Sequence, residues 1–226
     1  MRVVVSDPND GYVTLARSLL ENDTASTKAA FRFLQEGAEK SSVQSGTIDV
    51  AIAAEYIQWT DTAVAIREIG RELKVGGTLV ITHYTVPRIV GNDKAQKVWK
   101  AIWDEYAKRA TGPLLDHAVS IVNTALDCLD FPEHEWERGR LESYQLDSRG
   151  KESRVKDSEE VAWVEGDDDW ADEQDLTWFK GYLATWVPVV PEQEIQHLFS
   201  DLETALEEKK VRTETPLTIV FATKRA

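Results

Sequence analysis

Residues 48–82 read IDVAIAAEYIQWTDTAVAIREIGRELKVGGTLVIT, and the order of their apolar runs decides the fold class. Ile48–Ala53 is almost unbroken apolar sequence, the signature of a strand covered on both faces. Across Asp61–Lys74 the apolar residues Ile66, Ile69 and Leu73 recur at helical spacing, with Asp61 and Thr62 as caps. Gly76-Gly77 is expected to stop that helix, because glycine tolerates the left-handed residue that ends many helices. Thr78–Thr82 then returns to an apolar run, so the stretch reads strand, helix, strand.

Working outward, Arg2–Ser6 holds Val3-Val4-Val5 and ends at Ser6-Asp7-Pro8-Asn9, the pattern of a buried strand and its turn. Tyr12, Leu15, Ala16, Leu19 and Leu20 then share one helical face. Phe31–Leu34 is a further strand. This rhythm points to a doubly wound α/β sheet. Beyond Pro87 the pattern changes. Asn92–Arg109 reads as a helix carrying Trp99, Trp103 and Tyr106, and residues 111–130 as helical or irregular. Trp136–Leu146 alternates like a strand with one wet face. Leu176–Trp186 is a short aromatic helix, and Ile195, Leu198, Phe199, Leu202 and Leu206 mark a longer amphipathic one. Leu217–Thr223 closes as a strand.

The 226 residues fit one domain, 1–226. We divide it into an α/β half (1–90), helical cap elements (91–130 and 175–210) and an acidic loop (151–175). The net charge of −14 repels phosphate backbones and argues against nucleic acid as partner. Much of that charge lies in residues 157–175, which read as a solvated loop and lack the ligand spacing of a calcium site. Cys128 is the single cysteine, so neither a disulfide within the chain nor a cysteine zinc site is expected, and no metal is. No apolar run approaches the roughly 18 residues of a membrane span, and the N-terminus lacks a secretory h-region. The expectation is a cytoplasmic protein with no membrane partner.

In doubly wound sheets ligands bind beyond the carboxyl ends of the strands. After the first strand stands Asp7, followed by Pro8. Its carboxylate either accepts both hydroxyls of a ribose diol or caps the helix that Pro8 begins. After the second strand comes Gln35-Glu36-Gly37-Ala38-Glu39, a turn small enough to bring backbone N–H and C=O against a base edge. After the third comes Ala54-Glu55-Tyr56-Ile57-Gln58-Trp59, with carbonyls facing the ligand and Trp59 as pocket wall or core. His83 ends the fourth strand and reads as a ligand contact or a rim histidine.

Together these turns resemble the class I S-adenosylmethionine-dependent methyltransferases. Residues 48–82 look like that family's strand–Ala-x-x-x-x-Trp–helix–Leu-Lys-x-Gly-Gly–strand segment, and VVVSDPNDGYVTLAR resembles its preceding unit. GYLATWVPVVPEQE and VRTETPLTIVFATKR are similar to the C-terminal part of the trans-aconitate methyltransferase-like branch common in fungi. The resemblance implies a Rossmann-like, mostly parallel sheet with an antiparallel last strand and a helical cap. It implies S-adenosylmethionine as cofactor, held by Asp7, Pro8, Gly37, Ala38, Glu39, Ala54, Glu55 and Trp59, although Gly37 stands where many members carry Asp. The acceptor is expected to be a small molecule, with carboxylates one candidate class. Its walls are His83, Trp99, Trp103, Tyr182 and Trp186. Methyl transfer is an in-line displacement that chiefly needs positioning. A carboxylate acceptor needs no general base, and the sequence names no catalytic residue.

Family members begin with a strand and a glycine-rich loop that approaches the methionine part of the cofactor. Here Gly11 is the only glycine before Gly37, and the chain opens on what the resemblance makes the second strand. The first, central strand is therefore expected to be missing. Each backbone group it leaves unpaired costs about 1–3 kcal/mol if buried, against a domain stability of about 5–15 kcal/mol. Three outcomes are open: neighbouring strands close up, another chain supplies a strand, or the sequence is truncated, which we favour. A truncated, inactive fold that binds a protein partner at an exposed strand edge is the competing expectation.

Overall fold

The computed structural model describes residues 1–22, 29–142, 159–164, 168–186 and 188–226. It separates into two compact units, one of Met1–Ile81, Leu129–Arg138 and Phe221–Ala226, the other of Thr82–Cys128 and Gly139–Val220. The fold is mixed α/β.

The first unit opens with β1 (Arg2–Ser6), α1 (Asp10–Asn22) and β2 (Ala30–Leu34). β1 and β2 pair in parallel, Arg2 opposite Ala30 through Ser6 opposite Leu34. β3 (Ile48–Ala54), a single 3-10 turn (Ile57–Trp59), α2 (Thr62–Glu72) and β4 (Leu73–Tyr84) follow. Asp61 caps α2, its carboxylate accepting from Val64 N at 3.1 Å. The helix stops at Glu72, ahead of the glycine pair, because Leu73 already adopts extended backbone. Gly76 and Gly77 thus lie inside β4. Gly77 is there for close approach: a Cβ would stand 3.0 Å from the carbonyl oxygens of Ile48 and Lys74.

The remaining elements are β5 (Arg88–Ile89), α3 (Asp93–Arg109), α4 (Pro113–Val122), β6 (Trp136–Glu142), β7 (Glu160–Trp163), β8 (Ala171–Gln174), α5 (Leu176–Ala184), α6 (Glu192–Leu206), β9 (Val211–Glu214) and β10 (Leu217–Lys224). The strands form a pair β1-β2, a five-stranded sheet β3-β4-β10-β6-β7, and a three-stranded sheet β5-β9-β8. The hydroxyls of Thr78 and Thr223 meet at 2.9 Å, while Thr85 N donates to Pro216 O at 2.9 Å. Rising numbers on β4 thus face falling numbers on β10, so the last strand is antiparallel.

Among the described residues β1 and β3 share no ladder, and the first unit's sheet is split between them. Two expectations are corrected there. β3 is not covered on both faces, since Val50 is 56% and Ile52 70% exposed. The apolar stripe of α1 is also largely bare, with Tyr12 64%, Leu15 54% and Leu19 62% exposed, while Ala16 and Leu20 are half-buried and Val13, off that stripe, is buried. α1 lies on β1 and β2, a two-stranded sheet too narrow to cover a helix face about 10 Å across.

The second unit is packed around α3, α5 and α6. Asn92 caps α3 through Ala95 N at 3.0 Å and donates to Ala205 O at 2.9 Å near the end of α6. Arg109 at the other end of α3 pairs with Glu194 at the start of α6, so the two helices run antiparallel. The acidic stretch 151–175 is not only loop. Its described residues include β7 and β8, while 151–158 and 165–167 lie outside the described residues. β8 is ordered by antiparallel pairing with β9. Its approach is neutralised by Arg212, which binds Asp168 at 2.7 Å and Glu214 at 3.3 Å. Residues 143–146 of the expected strand from Trp136 also fall outside the described residues.

Candidate nucleoside site and aromatic cluster

The first unit brings the turns after β1, β2 and β3 together. Ser6 Oγ donates to Glu36 O at 2.8 Å, and Gln35 Nε2 to Pro8 O at 3.5 Å, joining the first two turns. Asp7 Oδ1 accepts from Asn9 N at 2.7 Å, and Asn9 Oδ1 accepts from Gly11 N at 2.8 Å. Asp7 therefore shapes the turn while Asn9 caps α1, a division that sequence reading left open. Bonding through one oxygen leaves a carboxylate further acceptor positions, which suits a diol.

The turn after β2 closes with Lys40 N on Gly37 O at 3.3 Å. Glu36 accepts from Ser42 N at 2.8 Å. The bonds from Ser42, with the charge of Arg32, hold its carboxyl below the ordinary range. Glu36 is thus fixed in the turn's framework. Glu39 reaches across to the next element, Oε1 accepting from Asp61 N at 3.2 Å, at the cap of α2. That end of a helix carries partial positive charge and favours a carboxylate.

The turn after β3 is strained at its first residue. Glu55 has φ of 51°, the left-handed region, which costs a non-glycine residue about 1–2 kcal/mol. Gln58, buried, donates to the Glu55 carboxylate at 3.3 Å and helps hold it there. Tyr56 is turned so that its hydroxyl accepts from Ala38 N at 3.4 Å. Burial pushes the Tyr56 phenol above its ordinary pKa, and the nearby charges of Glu39 and Asp7 push it the same way. Asp7, Ala38, Glu39 and Tyr56 are thus neighbours. Trp59 is 45% exposed and is not core.

Sequence reading named Asp7, Pro8, Gly37, Ala38, Glu39, Ala54, Glu55 and Trp59 here; Ala54 ends β3 and the others lie on these three turns. It passed over Tyr56, quoted only as part of a backbone stretch. The available signal was a phenol in the turn directly after an apolar strand.

The expected acceptor walls belong to the second unit. Trp99 is core rather than wall: it is 1% exposed and its indole N–H donates to Pro87 O at 2.6 Å. Satisfying that N–H is what permits full burial of a tryptophan. Its ring lies 4.7 Å from Phe179 and 6.3 Å from Tyr182. Trp103, Tyr182 and Trp186 pack around this core, partly exposed. Trp103 meets Trp186 edge-on at 4.6 Å, and Tyr182 meets Trp186 at 5.8 Å. Trp178 stacks on Tyr182 at 5.0 Å. His83 is buried on the same face of β4 as Leu79 and Ile81, so it is not a rim residue.

The nucleoside half of S-adenosylmethionine fits the three turns: a carboxylate for the ribose, a small-residue turn for the base, and an aromatic plane at Trp59. For the methionine half, the described residues offer no glycine-rich turn. Among the described residues no group of three or more His, Cys, Asp or Glu side chains is placed to hold a metal, and no helix is long and apolar enough to cross a membrane.

A family model described as a methyltransferase domain matches residues 1–81. The chain is 24% identical over 260 residues to the methyltransferase ptaI of Pestalotiopsis fici, covering 99% of this chain and 76% of that protein. It is 26% identical over 141 residues to a Dictyostelium discoideum protein that also bears the name methyltransferase, covering 58% of this chain and 50% of that one. A solved structure from Anaeromyxobacter dehalogenans, described as a type II methyltransferase, superposes with a TM-score of 0.59 at 18% identity, covering 99% of this chain and 89% of its own. The chain shares the Rossmann-like fold of that structure.

Proposed function

We propose that the chain is a class I methyltransferase fold of the trans-aconitate methyltransferase-like kind, serving S-adenosylmethionine-dependent methyl transfer to a small-molecule acceptor, carboxylates included. The observation that carries this reading is the convergence of the turns after β1, β2 and β3 at Asp7, Ala38, Glu39 and Tyr56. The similarity of residues 1–81 to a methyltransferase domain supports it. A cytoplasmic setting belongs to the same reading, on the strength of a lone cysteine.

The cofactor, when bound, supplies an electrophilic methyl group. The chain's own contribution is positioning. Asp7 and the Gly37–Glu39 turn hold the nucleoside, the Ala54–Trp59 turn borders it, and Trp103, Tyr182, Trp186 and His83 are proposed to shape the acceptor's surroundings. In-line displacement gains chiefly from orientation and from excluding water, which bulky aromatics provide.

The split between β1 and β3 gives the reading its test. On this reading the three turns serve the nucleoside half, and the methionine half needs a glycine-rich turn on an added central strand. S-adenosylhomocysteine is titrated by calorimetry into the 226-residue chain and into a variant extended upstream by a strand and glycine loop. At least about a tenfold gain in the extended chain supports the reading, and no gain overturns it.

The same split favours a second reading, in which the fold recruits a protein partner at the β3 edge. Val50 and Ile52 on β3 and Leu15 and Leu19 on α1 are the exposed apolar residues that such a partner would cover. Light scattering tests it. A species heavier than the 25.5 kDa chain supports this reading, and a clean monomer that binds cofactor removes it.

A further inference from the structure

The turn after β3 holds a polar pair that the nucleoside reading does not use. Gln58 is 4% exposed, and among the described residues no donor reaches its Oε1. A flip of the amide does not cure this. Nε2 donates to Glu55 Oε2 at 3.3 Å, and the flipped form would set carbonyl oxygen against carboxylate. Oε1 is therefore a buried acceptor held in place, which costs stability until a donor meets it. Glu55 is held at a cost as well, with φ of 51°. Strain and an orphaned acceptor in one turn mark groups kept for a ligand. The pair lies directly beyond the carboxyl end of β3, where ligands of such sheets bind.

The oxygen and nitrogen of one amide stand about 2.2 Å apart. Gln58 Oε1 and Glu55 Oε2 thus lie within the span that one donor nitrogen bridges with two bonds of about 2.8 Å. Both are acceptors and one is charged. Asp7 and Glu39, whose charges act on the neighbouring Tyr56 phenol, add to the negative field. A carboxylate is repelled here, and a hydroxyl donates to one oxygen only. An ammonium donates to both and answers the charge. We propose that Glu55 and Gln58 hold an amino group of the methyl acceptor, with Gln58 Oε1 as the specificity-determining atom. This rests on the acceptor reading above and narrows it: the acceptor carries an amine, whichever of its groups takes the methyl.

Phenethylamine and phenylacetate, matched in size and opposite in charge, are titrated by calorimetry into the 226-residue chain, with thermal unfolding alongside. The amine is expected to bind at least about tenfold tighter than the carboxylate. Gln58→Met keeps the shape and removes the amide. It should weaken the amine at least about fivefold and leave the melting temperature unchanged or higher, because an unmet buried acceptor goes with it. It alters no charge, so the chain's net charge of −14 does not mask the effect. Glu55→Gln should weaken the amine at least about tenfold.

Equal affinities for the two probes, or no binding of the amine, overturn the inference. So does a Gln58→Met chain that melts lower yet binds the amine as the wild type does, since the amide is then structural. S-adenosylhomocysteine that displaces the amine where adenosine does not would assign the pair to the cofactor's own ammonium, and overturns the inference too. The nucleoside reading falls separately, on adenosine that fails to bind.

Discussion

α1 and α3 carry the same sequence signal, an apolar stripe at helical spacing, and meet opposite fates. α3 buries Ala95, Trp99, Ile102 and Tyr106 against α5 and α6. α1 turns Tyr12, Leu15 and Leu19 to solvent. Periodicity reports which face a helix would bury, and says nothing of whether a surface wide enough to receive it exists. α3 has two helices to receive its stripe, whereas α1 lies on a pair of strands that, among the described residues, joins no larger sheet.

The sharpest way to break this comparison is Trp99→Ala. It empties a filled site and removes a satisfied indole N–H, so chemical denaturation should show a loss of about 3–5 kcal/mol. A loss below about 1 kcal/mol would mean that the second unit's core is loose, and the contrast with α1 would fail.

Capping is local, and should not distinguish the regions. Asp61→Ala in the first unit removes the acceptor of Val64 N, and Asp175→Ala in the second removes that of Trp178 N. Each should cost about 1 kcal/mol by the same denaturation measurement. A much smaller effect at Asp61 would show that the first unit is loose even where its backbone is capped.

The pH dependence sharpens the comparison within the first unit. The Arg71 side chain and then Ser41 N–H hold Glu68 below the ordinary carboxylate range, so its contribution is present at neutral pH and lost as pH falls through that range. Glu72 is raised by burial. Its contribution has the opposite sign, present at low pH and lost as pH rises through its raised value. Glu68→Gln should therefore flatten the fall in stability as pH drops below about 4.5. An unchanged slope would show that this network does not hold the Ser41–Ser45 segment to α2.

The smallest expected effect is at α1. Leu19→Lys should change stability by less than about 0.5 kcal/mol, since the side chain is already in water. A loss of several kcal/mol would mean that something covers α1 in solution, which is the protein-partner reading.

The sequence made much of the fold legible because strand and helix signals there are local. β1 coincides with the expected Arg2–Ser6, and Asp61 caps α2 as expected. The end of α2 was misread because a glycine pair is both a helix stop and a strand feature. Only the close approach of Gly77 to Ile48 O decides between them. The exposure of β3 and α1 was hidden for a tertiary reason, as burial depends on neighbours that no window contains. Trp99 was misplaced as a pocket wall because its bond to Pro87 O exists only after folding. Tyr56 and the reach of Glu39 into the space beside Gly37 depend on a left-handed Glu55 and a long-range bond to Asp61.

The central proposal is that the turns after β1, β2 and β3 hold the nucleoside half of a cofactor, while the described residues offer no glycine-rich turn for its methionine half. Parallel calorimetric titration of the 226-residue chain with adenosine and with S-adenosylhomocysteine tests it most directly. The account predicts affinities within about threefold of each other, because the described residues offer the amino-acid moiety no glycine-rich turn. S-adenosylhomocysteine binding more than about tenfold tighter than adenosine would contradict it.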